Sequence, residues 1–203
     1  MKQILRNIVK CHTAVIEGKS GDGLIGFDLA GKTLGIVGTG AIGLKVAEIG
    51  RAFGCKLIAY SRSEREEVKN IGVEYVSLDE LLKKSDIVTI HVPLNNNTRG
   101  LIGKEELSLM KQGSILINTA RGPIVDSLAL ADALNNGRLA GAGIDVFETE
   151  PPISNDHPLV NAKNVVLTPH IAFATKEALE RRAEIAFDNI QFWKEGKQNN
   201  KII

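Results

Sequence analysis

The sequence has few cysteines and almost no net charge. Its 203 residues include only Cys11 and Cys55, and neither has a second cysteine or a histidine cluster beside it. This pattern argues against a disulfide framework and against zinc ligation, and no close spacing of His, Asp and Glu suggests another metal, so we expect none. Lysine plus arginine number 25 and aspartate plus glutamate 24. We therefore expect no nucleic-acid partner.

Long hydrophobic runs are also absent. Although 43% of the residues are hydrophobic, no stretch approaches the roughly 20 apolar residues that a membrane helix needs. The first residues, MKQILRNIVKCHTAVIEGK, interrupt their apolar positions with charged and polar ones, unlike the apolar core of a signal peptide. We expect a cytoplasmic protein with no membrane partner.

Short runs rich in Val, Ile and Leu alternate with helical patterns along most of the chain. Continuously apolar runs are typical of strands buried on both faces of a parallel sheet. We predict strands near 32–38, 55–60, 86–92, 114–120, 139–147 and 164–170, and helices at 41–53, 78–84, 104–110 and 127–135. This alternation predicts an α/β fold, a Rossmann-type doubly wound parallel sheet with helices on both faces. Ligands should lie beyond the carboxyl ends of the strands.

Two segments differ from this pattern. The glycine-rich residues 17–31 are typical of a linker or surface loop. From Thr175 to about Lys194, an amphipathic pattern predicts a helix that docks on an apolar surface.

The sequence GTGAIG, residues 38–43, follows the first predicted strand and opens a helix. In this setting three glycines serve a tight turn, a close approach of the backbone to a pyrophosphate, and close packing of helix on strand. The phosphates then lie at the positive end of the helix. The motif predicts dinucleotide binding, with contacts from Gly38, Gly40, Ala41, Ile42 and Gly43.

The end of the second predicted strand bears on the choice of cofactor. NAD-binding proteins usually place a carboxylate about 20 residues after the glycines, but this chain has Ser61, Arg62 and Ser63 there. Serine and arginine would suit the 2′-phosphate of NADP, with Arg65 as a candidate second cation. Alternatively, both arginines belong to a solvated loop that also contains three glutamates. We favour NADP and keep NAD open.

Three further motifs follow late strands: NTARGPIVD (118–126), GIDVFETEPP (143–152) and LTPHIAFAT (167–175). Together with LAGKTLGIVGTGAIG and SDIVTIHVPLNNNTRGLI, they closely resemble the NAD(P)-binding domain of the D-isomer-specific 2-hydroxyacid dehydrogenases. That family includes phosphoglycerate, glyoxylate/hydroxypyruvate and D-lactate dehydrogenases. The resemblance extends from about residue 5 to the C-terminal helix.

The resemblance implies a catalytic set of Arg121, Glu150 and His170. Reduction of a 2-oxo acid needs a cation for the carboxylate and carbonyl, and a proton donor for the developing alkoxide. Arg121 would be the cation, and His170 the general acid in reduction and the base in oxidation. Glu150 would pair with His170 and orient its ring.

The resemblance also implies further cofactor contacts, with Asp145 near the nicotinamide. The other residues are His91, Pro93, Thr98, Thr119 and Ala120. We expect His157 to lie in a polar loop and Glu148 to be a surface carboxylate.

Family members have two lobes, and this sequence resembles mainly one. We expect that the substrate domain is largely missing, and predict a helix end and linker at 1–28, the NAD(P)-binding domain at 29–174 and a returning helix at 175–203. A one-walled cleft would exclude water poorly, which would weaken catalysis. Apolar side chains would then be left for self-association, and we expect a homodimer. The candidates are Ile4, Leu5, Ile8 and Val9, together with Phe187, Ile190 and Trp193.

Two functions follow from the resemblance. The first is hydride transfer between NAD(P) and a small 2-oxo or 2-hydroxy acid. The alternative is a dinucleotide-binding module without turnover. Intact catalytic residues favour the first, and the missing lobe favours the second.

Overall fold

A single parallel sheet organises most of the chain. The structure is a computed structural model that describes residues 1–200. The strands in this part, β1 to β7 in chain order, are Thr33–Val37, Lys56–Tyr60, Glu74–Tyr75, Ile87–Ile90, Ser114–Asn118, Leu139–Ile144 and Val165–Leu167. They lie in the order β3-β2-β1-β4-β5-β6-β7, and every neighbouring pair is parallel. The six predicted strands are confirmed. Strand β3 was not predicted, because two residues are too few to form a recognisable apolar run.

The order of the strands reverses at β1. From β1 the chain builds outward through β2 and β3, and then returns to add β4 on the other side. In doubly wound sheets the ligand crevice opens at this reversal, outside the carboxyl ends of the strands. The loops after β1, β2 and β4 therefore border the expected crevice.

The helices predicted at 41–53, 78–84, 104–110, 127–135 and from Thr175 are confirmed, and a short helix at Glu66–Lys69 was not predicted. In chain order, α1 to α8 are Lys2–Leu5, Ile8–Ile16, Ala41–Ala52, Glu66–Lys69, Leu78–Lys84, Lys104–Leu109, Ser127–Asn135 and Lys176–Lys194. Side-chain caps explain where two of the helices begin. At the start of α5 the Ser77 side chain accepts a hydrogen bond from the Glu80 N–H, and at the start of α7 the Asp126 side chain accepts one from the Ala129 N–H. Such caps satisfy N–H groups that lack a partner within the helix.

Both faces of the sheet are buried, which confirms the predicted layers. Neighbouring residues of a strand face opposite sides of the sheet. The strands accordingly contribute side chains to two hydrophobic clusters, one on each face. One face packs on α5, α6 and α7, with Val37, Ile58, Val88, Leu116, Leu81, Leu107 and Leu130. The other packs on α1, α3 and α4, with Leu34, Ile36, Leu57, Ile87, Leu5, Ala47 and Val68.

The N-terminal residues differ from expectation. A left-handed backbone at Asn7 (φ 50°) divides the predicted helix end into α1 and α2. The expectation that Ile4 and Leu5 are left for self-association is wrong, because Leu5 is buried and Ile4 packs against β6. Gly141 makes room for it, since a Cβ there would lie 2.6 Å from Ile4 Cγ2. Ile8 and Val9 are exposed, as expected.

The described residues group into two compact units, Met1–Pro169 and a second from His170 onward. The second contains α8, whose start is capped where Thr175 Oγ1 accepts the Ala178 N–H. Its exposed side chains include Phe187, Ile190 and Trp193. Residues 201–203 of the predicted segment 175–203 lie outside the described residues, and the predicted three-part division stays a prediction. Among residues 1–200, no helix is long and apolar enough to cross a membrane.

Candidate functional site

A cleft of about 190 Å³ opens where the strand order reverses. It lies beyond the carboxyl ends of β1, β2 and β4 and is bounded by the glycine turn, the loop after β2 and the segment after β4. The predicted cofactor residues that line it are Gly38, Gly40, Ser61, Arg62, Ser63, His91, Pro93 and Thr98. Sequence motifs that lie up to 60 positions apart therefore meet at one place.

Larger grooves occur elsewhere in the described residues. One of about 390 Å³ lies between α6 and α7, one of about 260 Å³ lies beside α1 at the amino ends of β6 and β7, and one of about 610 Å³ lies near the amino ends of β1 and β2. None of the three is at the carboxyl ends of the strands, where parallel α/β sheets bind their ligands. The smaller cleft is the candidate site on this ground.

Two of the three glycines of the turn are required by their surroundings, each for a different reason. Gly38 has φ +96°, a conformation that side chains disfavour, and a Cβ there would lie 2.9 Å from the His91 carbonyl carbon. A Cβ on Gly43 would lie 2.1 Å from the Gly38 carbonyl oxygen, so α3 could not pack this closely on the turn. Gly40 has an ordinary φ of −66° and empty space where a Cβ would be. Nothing within the described chain explains a glycine at this position.

The space at Gly40 suits a pyrophosphate. Gly40 is the N-cap of α3 and has no side chain to cap the helix, and Ala41 and Ile42 of the first turn are exposed. The first N–H groups of a helix have no partner within the helix. They carry partial positive charge, which favours a bound anion. The residues present therefore fit a dinucleotide phosphate.

The loop after β2 presents one arginine to the cleft. Arg62 is exposed and lines the cleft together with Ser61 and Ser63. Arg65, the candidate second cation, instead donates from Nη1 to the Thr39 carbonyl oxygen at 3.1 Å and forms an ion pair with Glu67. Its guanidinium therefore has structural partners already.

His91 lies at the back of the cleft, directly after β4. Its Nε2 is 2.9 Å from Thr89 Oγ1. Burial lowers the pKa of His91 from its ordinary 6.5 to about 4. The ring is therefore neutral at physiological pH and adds no charge to the cleft.

The lowered pKa of His91 predicts a loss of stability in acid. Between pH 6.5 and 4 the unfolded chain binds a proton that the folded chain does not, so stability falls as the pH falls. The loss approaches about 3 kcal/mol below the folded pKa. Replacing His91 by glutamine should remove this contribution. Urea unfolding at about pH 7 and about pH 4 should show a smaller drop for the variant; equal drops would contradict the prediction.

A second group of predicted residues lies beyond β5. The side chain of Asn118 ties the turn together: it accepts from the Ala120 N–H at 3.0 Å and donates to the Arg121 carbonyl oxygen at 2.9 Å. Arg121 is exposed and donates from Nη1 to the Ala120 carbonyl oxygen at 2.6 Å. Thr119 is exposed as well. The turn thus holds the Arg121 backbone while its guanidinium stays accessible.

Asp145 follows β6 and sits next to this turn. It is buried, its N–H donates to the Asn118 carbonyl oxygen at 3.0 Å, and its Oδ1 accepts from Thr168 Oγ1 at 2.5 Å. Asp145 and Thr119 line a small cavity of about 130 Å³. The two turns also touch at Gly122, where a Cβ would lie 2.0 Å from the Phe147 carbonyl. Arg121 and Asp145 therefore belong to one rigid assembly.

Glu150 and His170 lie in different units. Glu150 is exposed in the first unit. His170 opens the second, has a left-handed backbone (φ 56°), and its ring lies 5.6 Å from that of Phe173. The predicted pairing of Glu150 with His170 stays a prediction.

Sequence reasoning missed a contact between Glu148 and His157. His157 Nε2 lies 2.9 Å from Glu148 Oε2, and the His157 ring packs edge-on against Phe147. Burial would raise the pKa of Glu148, but hydrogen bonds from Ser127 and His157 outweigh it and lower that pKa. The pair closes the loop that carries Glu150. Glu148 and His157 are nine residues apart in a proline-rich loop, so no helix or strand periodicity predicts their contact. Among residues 1–200, no group of three His, Cys, Asp or Glu side chains could hold a metal.

Comparisons with known proteins point the same way. A family model described as "D-isomer specific 2-hydroxyacid dehydrogenase, NAD binding domain" matches residues 1–172. Glyoxylate reductase of Aeropyrum pernix is 53% identical over 175 residues, which are 86% of this chain and 52% of that protein. The chain thus spans about half the length of this curated relative.

Solved structures agree with the sequence comparison. D-lactate dehydrogenase from Aquifex aeolicus, complexed with NAD and lactic acid, is 37% identical with a TM-score of 0.88 over 96% of this chain and 63% of that one. An acyclic imino acid reductase in complex with NADPH and D-Arg is 33% identical with a TM-score of 0.90, over 99% of this chain and 64% of that one.

Proposed function

The chain belongs to the D-isomer-specific 2-hydroxyacid dehydrogenase family through its NAD-binding domain, and we propose that it binds NAD(P) for hydride transfer with a small 2-oxo or 2-hydroxy acid. The observation that carries this proposal is the open space at Gly40, beside the uncapped start of α3. Phosphates of the dinucleotide would occupy it. The adenosine end would extend toward Ser61, Arg62 and Ser63, and the nicotinamide end toward Asp145.

The residues beyond β5 and β6 would handle the acid. The bound dinucleotide supplies or accepts the hydride. The guanidinium of Arg121 would bind the substrate carboxylate and polarise the adjacent carbonyl, since its planar fork reaches two oxygens at once. An imidazole N–H of His170 would donate the proton to the developing alkoxide in reduction and take it back in oxidation. Glu150 would orient that ring.

The proposal is tested by turnover of the purified chain at high protein concentration. Oxidation of NADPH and NADH is followed by absorbance, with glyoxylate, hydroxypyruvate and pyruvate offered in turn. We expect turnover with at least one of the acids. If both nucleotides bind but none of the acids is reduced, hydride transfer by this chain is refuted and only nucleotide binding remains.

We further propose that NADP is the preferred cofactor. Support comes from the exposed Arg62 and from Ser63, and from the lack of a carboxylate at positions 61–63. Both cofactor types occur among similar proteins, one solved with NAD and one with NADPH. Self-association as a homodimer and a cytoplasmic location remain predictions.

Arg62 and Arg65 provide a matched test of cofactor choice. Replacing Arg62 by alanine should weaken NADPH binding about tenfold or more and leave NADH nearly unchanged, because a hydrogen bond to a charged group contributes about 1.5–3 kcal/mol. Replacing Arg65, which is held by Thr39 and Glu67, should affect both nucleotides alike. Dissociation constants from fluorescence titration decide the matter. If Arg62→Ala weakens the binding of NADH as much as that of NADPH, Arg62 does not bind the 2′-phosphate.

A further inference from the structure

A tyrosine outside every recognised motif holds the glycine turn from below. Thr39, the residue between Gly38 and Gly40, is only 2% exposed. Its Oγ1 accepts a hydrogen bond from the hydroxyl of Tyr75 at 2.9 Å. Its carbonyl oxygen accepts from Arg65 Nη1 at 3.1 Å. The hydroxyl and the carbonyl of Thr39 are thus both hydrogen-bonded from outside the turn.

Tyr75 also holds the loop that approaches the adenosine end of the cleft. The same hydroxyl accepts the backbone N–H of Arg65 at 3.2 Å. Arg65 is three residues from Arg62 and forms the N-cap of α4. One hydroxyl therefore connects the turn after β1 to the loop after β2.

The short strand β3 places this hydroxyl. Its two residues pair with Ile58 and Ala59 of β2, and the Val76 N–H donates to the Ala59 carbonyl oxygen at 2.9 Å. With two residues, the pairing of β3 with β2 adds little to the stability of the sheet. Its clear consequence is that Tyr75 lies beneath the glycine turn.

We propose that Tyr75 is a positioning residue for the dinucleotide, acting through Thr39 and Arg65. Glycines flank Thr39 on both sides, and glycine has more backbone freedom than any other residue. A turn that is free to move would have to be ordered when the phosphates bind, which weakens binding. The Tyr75 hydroxyl orders it in advance, together with the adjacent loop. This inference rests on the proposed dinucleotide binding.

Two variants remove the contact from either side. Tyr75→Phe deletes the donor, and Thr39→Val deletes the acceptor while keeping the branched shape. Thr39→Val should raise the dissociation constants of NADH and NADPH about fivefold, and by the same factor for both, which is the effect of one net hydrogen bond. Tyr75→Phe also removes the acceptor of the Arg65 N–H and should raise both constants by at least that factor. Thr39→Ser retains the hydroxyl and should bind nearly as the parent chain does. The double variant Thr39→Val/Tyr75→Phe should bind no worse than Tyr75→Phe alone, because the bond that Thr39→Val removes is already absent in Tyr75→Phe.

Isothermal titration of the full chain, with folding checked by circular dichroism, decides between the outcomes. A purely structural tyrosine would lower the melting temperature but leave both dissociation constants unchanged. Parent-like affinity in Tyr75→Phe and Thr39→Val would therefore overturn the positioning role and leave the proposed function intact. Losses that add in the double variant would also overturn it. If the parent chain binds neither nucleotide, the proposed function fails, and the positioning role fails with it.

Discussion

Replacing Gly40 by alanine is expected to abolish dinucleotide binding while the chain stays folded. A Cβ at this position meets nothing within 4 Å, and the φ of −66° suits alanine. The free energy of unfolding should change by less than about 1 kcal/mol, the scale of an N-cap substitution. The added methyl group would fill the space proposed for the phosphates. Loss of two hydrogen bonds to a charged group, about 1.5–3 kcal/mol each, weakens binding at least about a hundredfold.

Gly43 supplies the matched control. The same substitution there places a Cβ 2.1 Å from the Gly38 carbonyl oxygen, a backbone atom that can move only if the turn or α3 shifts. Gly43→Ala should therefore destabilise the fold, by about 3 kcal/mol if typical of severe overpacking. Urea unfolding and nucleotide titration of both variants separate the two effects. Parent-like affinity in a folded Gly40→Ala chain would show that no phosphate lies against Gly40.

Removal of the Arg121 guanidinium should lower turnover steeply without affecting nucleotide binding. The side chain is exposed beyond β5, and its backbone is fixed by Asn118 rather than by its own charge. Arg121→Ala should therefore leave the fold unchanged. Loss of a preorganised donor to a developing oxyanion lowers turnover about a hundredfold to a thousandfold.

Lysine at position 121 distinguishes charge from geometry. Arg121→Lys keeps the cation but loses the planar fork, so it should retain part of the activity that Arg121→Ala loses. The ratio of kcat to KM for the best of the three oxo acids is the measurement, with the nucleotide dissociation constant as the control. Equal activity in the parent chain and Arg121→Ala would remove Arg121 from the reaction.

The sequence predicted those parts of the molecule that follow from local patterns. The strands were readable because they are continuously apolar, and the glycine turn because GTGAIG stands between a strand and a helix. Arg121 and Asp145 were found through the resemblance, and their adjacency depends on the Gly122 contact with Phe147. That contact joins residues 25 positions apart in the sequence, and no periodic pattern predicts it.

The features that escaped prediction are single contacts between distant elements. Tyr75 belongs to a strand of two residues, below the length at which an apolar pattern can be recognised. Arg65 and Arg62 are equivalent candidates in the sequence, and the contacts of the Arg65 side chain with the Thr39 carbonyl and Glu67 distinguish them. Ile4 and Leu5 were expected to be left for self-association, but the glycines of β6 let Ile4 pack against the sheet, and Leu5 is buried.

Equilibrium titration of NADPH and NADH into the purified chain tests the central claim most directly, because dinucleotide binding at the start of α3 underlies every other assignment. The account predicts saturable binding of one nucleotide per chain, tighter for NADPH, and its loss in Gly40→Ala. Failure of both nucleotides to bind the folded chain at millimolar concentration, or undiminished binding in Gly40→Ala, would contradict it.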